Sequence, residues 1–143
     1  MTVAKALVDT NFLLDLVTGD RPGSHAAARM IDAVQEGRAE LSVCATSLKD
    51  FYYIARKGGF TDRERRECIR FFLEAMDVLP LDRKACATAV DSDEPDFEDG
   101  AIRAVAESSG CDWIVTRDAA AFANSTARSV APDAFLASAI GYA

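Results

Sequence analysis

Four aspartates stand out by the residues around them. Asp9 closes the apolar run from Val3 to Val8 and is followed at once by Thr10-Asn11-Phe12-Leu13-Leu14, where a helical pattern begins. Asp118 follows Trp113-Ile114-Val115-Thr116-Arg117, Asp50 stands three residues after Ser47, and Asp99 three after Asp96. Carboxylates gathered in one crevice repel each other and raise each other's pKa unless a cation sits among them. With oxygen donors only, and a single histidine (His25) in the chain, the fitting ion is hard: Mg²⁺ or Mn²⁺. Such ions polarise a phosphoryl oxygen, lower the pKa of a bound water and stabilise a leaving oxygen, so the chemistry on offer is metal-assisted phosphodiester hydrolysis. Thr10, Asn11, Ser47 and Thr116 are neighbours able to hydrogen-bond a carboxylate or a bound water.

Whether the four acids meet depends on the elements that carry them. Residues 3 to 8 read as a strand ending at Asp9, followed by a short helix over about 11 to 17 and a Gly/Pro loop over 18 to 23. Ser24 is placed to cap a helix running to about Gln35, and Leu41 to Ala45 read as a second strand. Ser47 with Asp50 resembles a helix start, ended by Gly58-Gly59. Thr61 and Glu64 form a capping box before the amphipathic repeat Cys68, Phe71, Phe72, Ala75 and Met76. Val78 to Leu81 is a short third strand near an edge, because Pro80 cannot donate to a ladder. Asp82 caps a helix to about Val90, and Asp96 and Asp99 open another that Gly110 ends. Trp113 to Thr116 is a fourth strand, Ala119 to Ala123 a short helix, Arg128 to Ala131 a fifth strand, and Pro132 begins a last helix to about Ile140.

Strands alternating with helices predict a three-layer α/β sandwich around a central parallel sheet of about five strands, and a single domain over residues 1–143. In such a sheet the carboxyl ends of strands and the amino ends of the following helices share one edge, where ligand crevices form. Asp9, Asp50, Asp99 and Asp118 are all expected there. Taken singly, each has a plainer reading: a helix cap for Asp9, Asp50 and Asp99, a turn for Asp118. Capping, however, does not require several unrelated helices to share an edge.

Composition sets the outer limits. Half of the 143 residues are apolar, enough for a core without staples. The four cysteines (Cys44, Cys68, Cys86 and Cys111) are widely spaced with no C-x-x-C pair, which speaks against zinc and suits reduced thiols in a cytoplasm. No apolar run has the length of a signal sequence or a membrane span, so no membrane association is expected. The net charge of −7 conceals two clusters: Asp91, Asp93, Glu94, Asp96, Glu98 and Asp99 against Arg56, Lys57, Arg63, Arg65, Arg66 and Arg70. Arg63, Arg66 and Arg70 share a helix face interleaved with Glu64 and Glu67, which reads equally as a salt-bridged surface or an RNA-facing patch.

The chain resembles PIN domains, in particular the VapC-type toxin ribonucleases of bacterial toxin–antitoxin pairs. The resemblance rests on Val8-Asp9-Thr10-Asn11; Ser47-Leu48-Lys49-Asp50-Phe51-Tyr52-Tyr53; Asp96-Phe97-Glu98-Asp99 with Ala104 and Ala106; and Trp113-Ile114-Val115-Thr116-Arg117-Asp118 with Phe122. It implies a Mg²⁺- or Mn²⁺-dependent endoribonuclease, dimerisation, and inhibition by a cognate antitoxin. Asp9, Asp99 and Asp118 match the family's acids, with Asp96 an alternative to Asp99. Asp50 departs from the glutamate common at its position, and Gly100 stands where alanine is expected. Lys49, Arg103 and Arg117 are the candidate RNA phosphate contacts near the rim.

Other enzyme classes fit less well. A haloacid-dehalogenase-like phosphatase needs a second aspartate where Asn11 stands, and a nucleotide-binding loop needs glycines that Asp9-Thr10-Asn11-Phe12 lacks. The rival from another class is a catalytically weak PIN-like module that binds RNA or protein.

Overall fold

The computed structural model describes residues 2–118 and 120–142. Five strands form one sheet: β1 (Ala4–Val8), β2 (Ala39–Cys44), β3 (Asp77–Leu79), β4 (Trp113–Val115) and β5 (Arg128–Val130). All neighbours run parallel in the order β3-β2-β1-β4-β5, with Val8 beside both Val43 and Val115. The chain lays β2 and β3 to one side of β1, then returns to place β4 on the other. The strand order therefore reverses between β1 and β4, and the crevice of an open α/β sheet lies at such a switch point.

Helices cover both faces, as a parallel sheet requires. Alternation along the strands assigns the sides: Ala4, Ala6, Val8, Leu41, Val43 and Val115 point into one core, Leu7, Cys44 and Ile114 into the other. The first core is filled from α1 (Thr10–Thr18), α2 (Ser24–Gln35), α3 (Ala45–Lys57), α4 (Asp62–Ala75) and α7 (Pro132–Phe135). Its α3–α4 seam is locked by the edge-to-face pair Phe51 and Phe72, centroids 4.9 Å apart. The second core takes α5 (Arg83–Val90) and α6 (Phe97–Ser108), joined by Ala121, Phe122 and Ala127. Among the described residues no helix is long and apolar enough to cross a membrane, and the four cysteines are unpaired.

Several starts and stops differ from the sequence reading. The cap of α2 is Gly23 rather than Ser24, whose hydroxyl instead accepts the Arg21 N–H at 3.2 Å. Helix α3 begins at Ala45 directly after β2, so Ser47 is an interior, buried helical residue and not a cap. Residues 120–123, expected as part of a short helix from Ala119, belong to a run of turns over 120–124; Ala119 lies outside the described residues. The last helix changes after Phe135 into a wider π-type turn over Leu136–Ile140. The Thr61–Glu64 capping box forms in both directions, and Asp82 and Asp96 cap α5 and α6 as expected. On α4, Arg66 pairs with Asp62 at 2.9 Å and Arg70 with Glu67 at 2.5 Å, the salt-bridged alternative for that basic face.

Candidate metal centre at the β1–β4 switch point

A narrow cleft of about 190 Å³ opens where the strand order reverses, lined by Asp9, Thr10, Asn11, Ser47, Glu98, Asp99, Ile102, Ile114, Thr116, Asp118 and Phe122. Each acid arrives by a different route. Asp9 is the first residue past β1 and caps α1, its Oδ1 accepting the Phe12 N–H at 3.1 Å. Asp99 is in the first turn of α6, whose cap is Asp96 through a 2.8 Å bond from the Asp99 N–H. Asp118 lies just past β4: its N–H donates to the Thr116 hydroxyl at 3.1 Å, and its Oδ1 accepts from Ala120 at 3.0 Å and Ala121 at 3.4 Å. In Asp9 and Asp118 the backbone bonds use Oδ1 alone, so capping by itself does not occupy the second carboxylate oxygen. Capping and ligation are compatible here rather than alternative.

The electrostatics are those of crowded acids. The Asp99 carboxyl is pushed up to about 6, first by burial and then by Asp96, Asp118, Glu94 and Glu98. Burial also raises Asp9, partly offset by the Phe12 N–H, the Thr116 hydroxyl and the Arg117 guanidinium. Burial is the first cause for both, and at Asp99 the neighbouring carboxylates add negative potential that a cation would offset. The acids of the cleft offer only oxygen donors, which suits a hard ion. Among the described residues no three acidic, histidine or cysteine side chains close on a single point. On charge and donor type, then, Asp9, Asp99 and Asp118 suit such an ion.

The remaining sequence candidates fall outside the cleft lining. Asp50 is one turn beyond Ser47 on α3, with its side chain 40% exposed and Lys49 Nζ at 3.8 Å; only three of the four acids placed on the rim line the cleft. Asp96 is an exposed cap. Lys49 is well exposed. Arg103, expected as a phosphate contact, is committed elsewhere: it binds Asp93, Glu94, Glu107 and the Asn124 carbonyl. Arg117 is paired with Asp15.

Two residues were missed. Glu98 lines the cleft from the first turn of α6; its place beside Asp99 was the available signal. Asp15, only 2% exposed, receives Arg21 Nε at 2.7 Å and the Arg117 guanidinium, while Arg21 also reaches Asn11 at 3.4 Å. Gly23 makes room for this cluster, since a Cβ there would overlap Arg117 and the Asp15 carboxylate.

Sheet order and a switch-point cleft lined by three aspartates define an open α/β domain with an acidic crevice. A family model described as PIN domain matches residues 5–120, and the chain belongs to that family. No curated protein matches its sequence significantly. Its fold is similar to that of Mycobacterium tuberculosis VapC20, described as a sarcin–ricin loop cleaving toxin (TM-score 0.62, 17% identity, 79% of this chain and 89% of that one). It is also similar to a chain of a Klebsiella pneumoniae toxin–antitoxin complex (TM-score 0.65, 20% identity, 89% and 97%) and to one of Rickettsia felis VapBC2 bound to a promoter DNA fragment (TM-score 0.64, 9% identity, 89% and 98%).

Proposed function

We propose that the protein is a divalent-metal-dependent endoribonuclease, the toxin of a cytoplasmic toxin–antitoxin pair. The observation that carries this reading is that Asp9, Asp99 and Asp118, from three separate parts of the fold, line one cleft. A bound Mg²⁺ or Mn²⁺ would activate water and offset charge on the phosphoryl oxygens and the leaving group. The chain's part is to hold and orient. Asp9, Asp99 and Asp118 would hold the ion, with Glu98 and, one turn back, Asp50 within the same acidic neighbourhood. Thr10, Asn11, Ser47 and Thr116 supply hydroxyl and amide groups that fix carboxylates or a phosphate oxygen. Ile102, Ile114 and Phe122 form the apolar part of the lining and limit water. RNA as substrate and an antitoxin as partner are supported by the resemblance and by the toxin and toxin–antitoxin relatives; a homodimer as the assembled form rests on the resemblance alone.

An end-labelled structured RNA, incubated with wild type and Asp9→Asn in Mg²⁺, Mn²⁺ or chelator, tests the reading. Expected are metal-dependent cuts leaving 5′-phosphate and 3′-hydroxyl ends, absent from Asp9→Asn. Cleavage that survives the chelator, persists in Asp9→Asn or leaves cyclic phosphates refutes it. The second reading, a binding module with weak catalysis, draws on Asp50 lying outside the cleft lining; RNA binding without turnover would favour it.

A further inference from the structure

The acidic stretch from Asp91 to Asp99 divides in two by its contacts. Asp96 and Asp99 belong to the start of α6, whereas Asp93 and Glu94 turn to Arg103. The Arg103 guanidinium reaches Asp93 Oδ1 at 2.6 Å, Glu94 Oε2 at 3.1 Å, Glu107 Oε2 at 3.1 Å and the Asn124 carbonyl at 2.8 Å. The same carboxylates cross to the irregular segment after β4. Glu94 Oε1 accepts the Phe122 N–H at 2.8 Å, Asp93 Oδ2 the Asn124 amide at 2.7 Å, and Glu107 Oε2 the Ser125 hydroxyl at 2.9 Å and the Thr126 N–H at 3.0 Å. The Glu94 side chain is 4% exposed and Arg103 is the cation paired with it.

Two further observations place strain and close packing at this junction. Phe122 adopts a φ of 67°, a left-handed conformation costly for a bulky residue, while its ring is buried and lines the cleft. A Cβ on Gly100 would stand 2.7 Å from Ser92 Oγ and 2.8 Å from the Ala89 carbonyl, so α6 meets the end of α5 and the start of the acidic loop too closely for a side chain there. The expected alanine does not fit. Asp118 in turn binds the backbone of this segment through the Ala120 and Ala121 N–H groups.

We propose that Glu94 and Arg103 are positioning residues, a buried latch that fastens the turn carrying Asp118 and Phe122 onto α6 and so holds Asp118 in the cleft it shares with Asp99. The latch rests on that cleft being the reactive site proposed above. It also explains why Arg103 is not available to RNA: its charge is spent on carboxylates inside the fold.

The test uses the 143-residue chain, without added metal for the NMR measurements and with Mg²⁺ for the cleavage assay. Amide hydrogen exchange and chemical shifts are followed by NMR in wild type, Glu94→Gln and Glu94→Ala, with steady-state RNA cleavage measured in parallel. Glutamine keeps an oxygen for the Phe122 N–H but drops the charge; alanine drops both. Expected is a rise in Phe122 exchange of about tenfold in Glu94→Ala and less in Glu94→Gln, with the Asp118 amide resonance moving in the same order and β1 and β2 unchanged. The kcat should fall in that order while KM stays within about twofold, the mark of a misplaced reactive group. Unchanged Phe122 exchange, an equal rise throughout β1, or a loosened turn with Asp118 and kcat unmoved overturns the latch. If Glu94→Ala does not fold, Glu94→Gln against wild type decides by the same readings. A wild type that cleaves no RNA overturns the nuclease reading, while Phe122 exchange and the Asp118 resonance still decide the latch.

Discussion

Asp15→Asn removes the buried charge beneath the cleft and tests whether Asp15, Arg21 and Arg117 act as a unit. Asp15 is 2% exposed and meets one guanidinium at each oxygen. Breaking a buried pair by deleting one partner costs ~3–5 kcal/mol when the survivor stays buried. Here the Arg21 and Arg117 side chains are 32% and 40% exposed, so both can turn to water, and asparagine keeps one acceptor oxygen. The expected loss is about 2–3 kcal/mol. With an unfolding entropy of about 0.3 kcal/mol/K for a chain of this length, Tm should fall by about 7–10 °C. Lys5→Ala is the control: Lys5 stands 3.9 Å from Glu40 with both side chains 54% exposed, and its loss should matter by no more than about 0.5 kcal/mol at a neutral pH. Urea unfolding followed by circular dichroism reads both. If Asp15→Asn unfolds at the wild-type midpoint, the desolvation of Asp15 cancels its two ion pairs and the cluster contributes no stability.

Four further outcomes are expected. Because folded Asp99 titrates near 6 against an ordinary 3.8, the native state holds its proton more tightly than the unfolded chain; the Asp99 contribution to stability is fullest below about 4 and is lost as pH rises through 6, so denaturation midpoints across that window should fall more in wild type than in Asp99→Asn. Millimolar Mn²⁺ should raise Tm in wild type, by mass action on the folded state, and raise it less in Asp9→Asn and Asp118→Asn; equal shifts in all three would sink the metal centre. Gly23→Ala drives a Cβ into Arg117 and the Asp15 carboxylate and should cost about 1–3 kcal/mol, read by the same urea unfolding. If Asp50 completes the centre through a water, Asp50→Ala should lower RNA turnover by a large factor and Asp50→Glu should keep or raise it; unchanged turnover in Asp50→Ala would leave Asp50 a surface residue of α3.

Local periodicity carried most of the fold. Leu7 and Ala6 point to opposite cores because strand side chains alternate, and the Thr61–Glu64 box forms because its two hydrogen bonds lie within four residues. The misreadings occur where a distant partner decides. Ser47 and Asp50 imitate a cap, but β2 runs straight into α3 and draws Ser47 into the buried cleft wall. Phe71, in register with the α4 apolar stripe, is 40% exposed while Phe72 is buried, because only one of the two meets Phe51. The turns over 120–124 replace a helix because their backbone groups bond to Glu94, Arg103 and Asp118 rather than to each other.

The candidate site shows the same division between acids and bases. Acids at strand ends and helix starts are placed by topology alone, so Asp9, Asp99 and Asp118 could be brought together on paper. Arginines reach far, and their partners are set by tertiary contacts that no spacing reveals. Arg103 and Arg117, both read as phosphate contacts, each turned out to serve a buried carboxylate, Glu94 and Asp15 respectively. Two ion clusters, one built on Asp15 of α1 and one on Arg103 of α6, thus each hold a segment next to Asp118. With those cations paired to carboxylates, the lining of the cleft is left acidic, and attraction of a polyanion to it would require a cation among the carboxylates.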